Sequence, residues 1–514
     1  MSHENITIGK FIIDNLTTGM YNDPFCIYRE YIQNAADAID KDAFKEKKDV
    51  RKDYEIRIKL DPPSKSITIE DNGCGVPVAS AVRTLLSLGD STKTSDRERG
   101  FRGIGRLGGV AYCDTLVFTT KAKGEFEETT VEWNCGEVQR LLNRHNDSSR
   151  HLEAKDLIAK CITNKKQKST RKIGESFFRV EMLGVRDGKG KLLDFPKVKS
   201  YLEEVAPIPF DIHQLHFGKE LDEWLRKEVA DYNTYRIFLN DSLLTKKYTR
   251  TLPIHQNKTD ELTGYEKIDI QDRQGKVIAR GWRGVRKDNI GAILPTSGFD
   301  SLRVRVGNIL IGNASLLDTC FSESRFNGYM VGEIHVMTPD LIPNGRRDDF
   351  QDSEMKADFE RGVEKIALPL GKKIRDDSNR KNMVKPIDEA KQEAVKVSKQ
   401  LESGFVGDAA KKETMTTLRD ADQKLASIQQ KPKVPDAIKE EAEAVSEKLQ
   451  TLFTAVKEAE PSIDGALEGT TFSKKEREAI RKALEAVHEL YDKTSSWEEL
   501  YDRVLKKLKR TNKS

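Results

Sequence analysis

Apolar and polar positions follow three rhythms along the chain, and each predicts a different kind of element. From Ile27 to Asp40 the apolar residues Ile27, Tyr31, Ala35, Ala38 and Ile39 recur at helical spacing, which predicts an amphipathic helix. Ile8, Phe11, Ile12 and Leu16 predict a short first helix packed against it. Residues 54–60 alternate every second position, residues 61–64 form a turn, and residues 66–70 return, which predicts a hairpin. Residues 111–120 predict a buried strand through Val117 and Phe118. Between residues 186 and 380 the pattern is mixed α/β, with short strands expected at 235–241, 267–270, 277–282, 302–306 and 332–337. Beyond about residue 382 the third rhythm takes over. Ile438, Ala442, Val445, Leu449, Leu452 and Val456 mark one helical stripe. Ser473 with Glu476, and Ser495 with Glu498, are capping-box signals for two more helices, and residues 430–435 read as a stiff linker. The tail is expected to be a set of antiparallel helices or a coiled coil.

Composition narrows the class. The chain has 514 residues, enough for several domains with sizeable cores. It is 37% hydrophobic and 33% charged, against about 25% charged in ordinary globular domains, so broad solvated helix faces are expected. Its 88 basic and 84 acidic residues leave a net charge of +4, so the overall charge demands no nucleic acid. Any such role needs local basic patches. Residues 45–52 and 164–172 are two of these; both read as solvated loops, the second also as an anion or nucleic-acid contact. The six cysteines include no Cys-x-x-Cys pair, which points away from zinc and disulfides and towards a reducing compartment. No run approaches the roughly 20 apolar residues of a membrane span. A cytoplasmic protein without a membrane anchor is expected.

The chemistry concentrates on the helix at residues 27–40. Glu30, Asn34 and Asp37 project from one side of it. A carboxylate one turn from a carboxamide can hold a water beside a divalent cation; the Asn34 carbonyl suits Mg²⁺, and Glu30 can act as a general base. Asp71 follows the second hairpin strand and can accept from an exocyclic amine such as that of adenine. Gly73 and Gly75 then let the backbone approach a flat ring. Residues 99–109 form a glycine-rich loop whose N–H groups can cradle phosphate, with Gly100, Phe101, Arg102, Gly103, Ile104 and Gly105 along it. Far downstream, residues 341–350 place Arg346 and Arg347 on a Pro-Asn-Gly turn, where an arginine can neutralise charge developing in phosphoryl transfer. The alternative there is a surface pair neutralised by Asp348 and Asp349.

Together these stretches resemble the GHKL (Bergerat-fold) ATPases, a group that includes gyrase B, the ninety-kilodalton heat-shock chaperones, histidine kinases, MutL and the MORC proteins. The helix at residues 28–40 is most similar to that of the heat-shock chaperones. The resemblance covers roughly residues 1–380. It implies an N-terminal α/β sandwich that binds ATP and Mg²⁺ (residues 1–185), a mixed α/β middle domain with the γ-phosphate-sensing loop (186–381), and a separate helical C-terminal region (382–514). It makes Glu30 the base, Asn34 the Mg²⁺ ligand, Asp71 the adenine contact and Gly75 the adenine-pocket glycine. Gly100, Gly103 and Gly105 become the phosphate loop, and Arg347, with Arg346 as runner-up, the sensor. Thr92 and Lys93 match the start of a mobile lid. The family's fourth motif, a Gly-Thr pair opening a late strand, is imperfectly met by Gly174-Glu175-Ser176, with Ser176 the candidate substitute.

Two functions follow from this resemblance. One is an ATP-driven conformational clamp like the heat-shock chaperones, a homodimer acting on a protein client or partner through the helical region. The other is a MutL- or MORC-like clamp closing on DNA in repair or genome defence. A histidine kinase is disfavoured, because that family's phospho-acceptor helix precedes the ATPase domain.

Overall fold

In the computed structural model the described residues are 8–17, 23–87, 105–143, 152–186, 188–255, 257–289, 291–430, 434–468, 470–490 and 497–511, and every count below refers to them. The chain divides into two units, Met1–Gly371 and Lys372–Ser514.

Two sheets build the first unit. β1 (Ile56–Asp61) and β2 (Ser66–Asp71) form the expected hairpin, with Ile58 opposite Ile69. β3 (Thr115–Lys121), β4 (Glu127–Asn134), β5 (Ile162–Lys168) and β6 (Phe177–Leu183) extend it, and β7 (Ile237–Leu239) and β8 (Ser242–Leu243) complete the other edge. The order is β5-β4-β3-β6-β2-β1-β7-β8, antiparallel throughout except where β7 runs parallel to β1. The eight-stranded sheet thus takes in chain from well beyond residue 185. Period-two alternation puts Ile56, Ile58 and Leu60, with Ile67 and Ile69, on one buried face. Against that face pack α1 (Phe11–Thr17), α2 (Cys26–Glu46), α5 (Cys135–Leu142), α6 (Ala154–Cys161) and α7 (Phe195–Val205). Two short helices, α3 (Val50–Asp53) and α4 (Ala81–Leu86), lie between these elements in sequence.

The second sheet has the order β13-β12-β14-β11-β10-β9. Its strands are β9 (Thr251–Ile254), β10 (Lys258–Gln271), β11 (Val277–Arg286), β12 (Ser301–Val306), β13 (Ile309–Ile311) and β14 (Val331–Val336). Leu221 and Leu225 of α8 (Gly218–Glu228) join Trp282, Phe210, Phe217 and Tyr248 in its core.

α9 (Glu354–Ser403) leads into the second unit, which contains α10 (Asp408–Gln429), α11 (Asp436–Glu458), α12 (Lys474–Leu490) and α13 (Trp497–Thr511). The predicted stripe lies on α11, where Ile438, Ala442, Val445, Leu449 and Val456 are buried. Ser473 caps α12 reciprocally with Glu476, as a capping box requires. Ser495 lies outside the described residues. Among the described residues no helix is long and apolar enough to cross a membrane.

Two basic stretches differ from expectation. Residues 45–52 are partly helical, because α2 runs to Glu46 and α3 begins at Val50 with its N-terminus capped by Asp49. Residues 162–168 form the edge strand β5 rather than a loop. An edge strand needs only one ladder partner, and lysines keep its open side solvated.

Candidate functional site

α2 is the floor of the site. Ile27, Tyr31, Ile32, Ala35 and Ile39 pin it to the sheet, which leaves the Glu30–Asn34–Asp37 side turned elsewhere. Glu30 is only 7% exposed and Asp37 6%, whereas Asn34 is half-buried and its carboxamide has no hydrogen-bond partner among the described residues. The helix also orders the chain above it. The Tyr31 hydroxyl donates to the Arg106 carbonyl at 3.1 Å and accepts from the Gly109 N–H at 3.0 Å, holding the 3-10 helix Gly105–Ala111 in place. Gly105 lies directly over the Glu30 carboxylate, since a β-carbon there would come within 2.3 Å of Oε2. Only glycine lets the backbone and the carboxylate approach this closely.

The Asp71–Gly75 turn docks on the same helix about two turns beyond Glu30, at Ala38. Asp71 continues the Ile67, Ile69 face of β2, so the strand's own alternation turns its carboxyl into the interior. Oδ1 accepts from the Gly73 N–H at 2.9 Å, and burial pushes the carboxyl up to about 8. The Cys74 N–H donates to the Ala38 carbonyl, and a β-carbon on Gly73 would come within 2.8 Å of the Ala38 backbone. Gly75 has φ +62°, and a β-carbon there would lie 2.1 Å from the Lys121 carbonyl oxygen. Ser176 donates to the Gly73 carbonyl at 2.6 Å, bringing the start of β6 onto this turn.

The arginine loop reaches the other end of α2. Pro343 and Phe350 pair across its base, and Arg347 occupies the left-handed region at φ 57°. A non-glycine residue held there costs about 1 kcal/mol or more. The conformation accompanies a turned-in side chain: Arg347 Nε lies 3.6 Å from Glu30 Oε1, and the side chain is 11% exposed. Arg346 is exposed and contributes its carbonyl, which accepts from Arg29 at 2.9 Å. Arg29 also lies 3.5 Å from Glu30 Oε1, so the carboxylate sits between two guanidinium groups. The nearby acids are engaged elsewhere: Asp349 pairs with Lys356 and Asp348 accepts from Asn344.

Glu30, Asn34, Asp37, Asp71, Gly73, Gly75, Gly105, Ser176 and Arg347 therefore gather along one helix. Thr92, Lys93, Gly100, Phe101, Arg102, Gly103 and Ile104 lie outside the described residues. Sequence reasoning missed three contributors. Arg29 was hidden by its position next to Glu30. Tyr31 reads only as core from its apolar spacing. Thr120, within a predicted strand, accepts from the Val76 N–H and donates to the Phe177 carbonyl. A fourth polar group, Gln33, is 1% exposed, and neither amide atom is hydrogen-bonded among the described residues.

Residues 26–164 match the family described as histidine kinase-, DNA gyrase B-, and HSP90-like ATPase. Among curated proteins the chain is similar to the chaperone protein HtpG of Psychrobacter arcticus, 31% identical over 135 residues, covering 23% of this chain and 21% of that protein. HtpG of Methylibium petroleiphilum is 27% identical over 166 residues (27% and 26% covered), and HtpG of Acinetobacter baylyi 29% identical over 163 residues (27% and 26%). The chain thus spans only about a fifth to a quarter of the length of these relatives.

Proposed function

We propose that this chain is a Mg²⁺-dependent ATPase that works as a nucleotide-driven conformational switch. Residues 1–185 would bind ATP, residues 186–381 would carry the sensing loop, and residues 382–514 would serve dimerisation or a protein partner in the cytoplasm. The observation that carries the reading is the placement of Glu30 between the Gly105 backbone and Arg347.

The residues present fit the nucleotide and its metal. Gly105 keeps a side chain off the Glu30 carboxylate, Gly73 lets the Asp71 turn lie against the α2 backbone, and Asn34 offers a half-buried oxygen with no partner among the described residues. Among the described residues no group of three or more His, Cys, Asp or Glu could hold a metal, and a single amide oxygen suits Mg²⁺, which retains most of its waters. When bound, Mg²⁺ supplies charge neutralisation at the phosphate oxygens.

Glu30 takes the proton of the attacking water as its oxygen bonds to the γ-phosphorus and the bond to the ADP oxygen breaks. Arg347 occupies the carboxylate in this structure. Transfer of its guanidinium to the γ-phosphate would free Glu30 and deliver positive charge in one movement. ATP would favour the closed arrangement through that differential contact, and hydrolysis would release it.

Asp71 provides the test. At neutral pH burial keeps its carboxyl largely protonated in the nucleotide-free protein. An adenine amine donating to it favours the carboxylate, so binding should release a proton. By calorimetry, ATP affinity should rise as pH goes from about 6 to about 8 and then level off. Asp71→Asn should bind roughly 100-fold more weakly and lose this rise. Failure of the unaltered chain to take up ATP with Mg²⁺ would end the reading.

One feature favours the second reading, a clamp on DNA like MutL or MORC: Lys165, Lys166 and Lys168 are exposed on the sheet edge β5. If that strand contacts phosphates, a gel shift should appear at low salt and fade steeply as salt rises. No shift at low salt would leave the protein-client reading alone.

A further inference from the structure

We propose that the buried charge cluster centred on Glu333 is a positioning device for α2. The inference rests on the ATPase reading for its effect on turnover, but not for its effect on helix order. Glu333 is 0% exposed in the middle of β14. Its carboxylate accepts from Lys246 Nζ at 2.7 and 2.9 Å, from Arg305 Nε at 2.5 Å and from the Tyr248 hydroxyl at 3.1 Å, with His335 Nε2 at 3.2 Å. Lys246 and His335 are themselves 2% and 1% exposed. Burial, then the neighbouring Arg305, lowers Lys246 to about 7, and burial lowers the His335 ring to about 4. Burial alone would raise Glu333, but Arg305 and Lys246 overcome it and hold the group well below the usual range. Buried ion pairs of this kind contribute little net stability over packed apolar side chains; what they fix is direction.

That direction leads to α2 at two points, Asp40 in its second half and Phe25 at its N-terminus. Lys246 Nζ also donates to Asn308 Oδ1 at 2.9 Å, and Asn308 Nδ2 donates to the Asn233 carbonyl at 2.8 Å. Asn233 Nδ2 then donates to Asp40 Oδ1 at 3.1 Å, beside the Tyr235 hydroxyl at 2.7 Å. Asp40 is on α2. On the second branch Arg305 donates to the Glu204 carbonyl at 2.7 Å, satisfying a free carbonyl in the last turn of α7. Tyr201 of the same helix stacks on Phe25, at 5.2 Å between ring centres, immediately before α2 begins. Glu30 and Asn34 lie between these two grips. Asn308 forms a tight hairpin with Gly307, at φ 62° and 55°, so its carboxamide is aimed by the turn.

Asn308→Gly tests this, because glycine accepts the left-handed turn while deleting both amide contacts. The expected result is a fall in kcat of about tenfold with an unchanged KM for ATP. Hydrogen exchange should accelerate over residues 26–40 and stay as slow as in the unaltered chain over 301–306. Asp40→Ala should reproduce the effect, and Asp40→Asn, which keeps an acceptor, should restore it. A folded Asn308→Gly protein with unchanged exchange over 26–40, or with faster exchange and intact kcat, overturns the proposal. If the unaltered chain shows no turnover, the ATPase reading fails and the exchange comparison decides this proposal alone.

Discussion

Glu30→Gln should lose ATP turnover by a factor of about 10² to 10⁴ while keeping nucleotide binding and lowering the unfolding midpoint less than alanine does. Glutamine matches the carboxylate in size, can still accept from Arg29 at 3.5 Å from Oε1, and keeps an oxygen facing Arg347 at 3.6 Å. What it cannot do is take a proton from water. Glu30→Ala should lose turnover as fully. Both variants remove the negative charge between the two guanidinium groups, but alanine also removes the acceptor and the side-chain volume, so the larger loss of stability is expected there. The contrast separates chemistry from architecture. Steady-state phosphate release measures the first effect and thermal unfolding the second. Turnover intact in the glutamine variant would remove Glu30 from the reaction and, with it, the meaning assigned to Gly105 and Arg347.

The parts of this site that were legible in the sequence are those whose signals are local. The helix from Ile27 to Asp40 carries its period in consecutive residues, and Asp71 continues the alternation of Ile67 and Ile69, so its burial follows from the strand. Long-range pairing leaves no such mark. Nothing near Ile237 announces that β7 will run parallel to β1 and enter the first sheet. The cluster around Glu333 was hidden for a related reason. Val331-Gly332-Glu333-Ile334-His335-Val336 alternates like a half-exposed strand, yet all six residues are buried, because polar partners from elsewhere cover the second face. Helix limits misled in the opposite sense. α9 begins at Glu354 and contains Pro369 and Pro386, either of which would ordinarily mark an end.

Arg347→Ala should lower turnover by about 10² to 10³ with ATP affinity nearly unchanged, the signature of a contact made in the transition state. The position is informative because two features of the loop converge on it. The left-handed backbone at φ 57° accompanies a side chain turned in at Glu30, and Gly312 donates to the Arg347 carbonyl, so the aim is held from outside the loop. Arg346, exposed and represented at the site by its carbonyl, should tolerate alanine with little change in turnover. Arg347→Lys should recover only part of the loss, since an ammonium keeps the charge but lacks the planar fork that grips phosphate oxygens. Arg347→Gly relieves the left-handed strain while removing the same guanidinium. It should therefore match the alanine variant in turnover and exceed it in thermal stability. A glycine variant that turns over ATP like the unaltered chain would mean that the arginine serves the loop alone, and the sensing role would have to be given up.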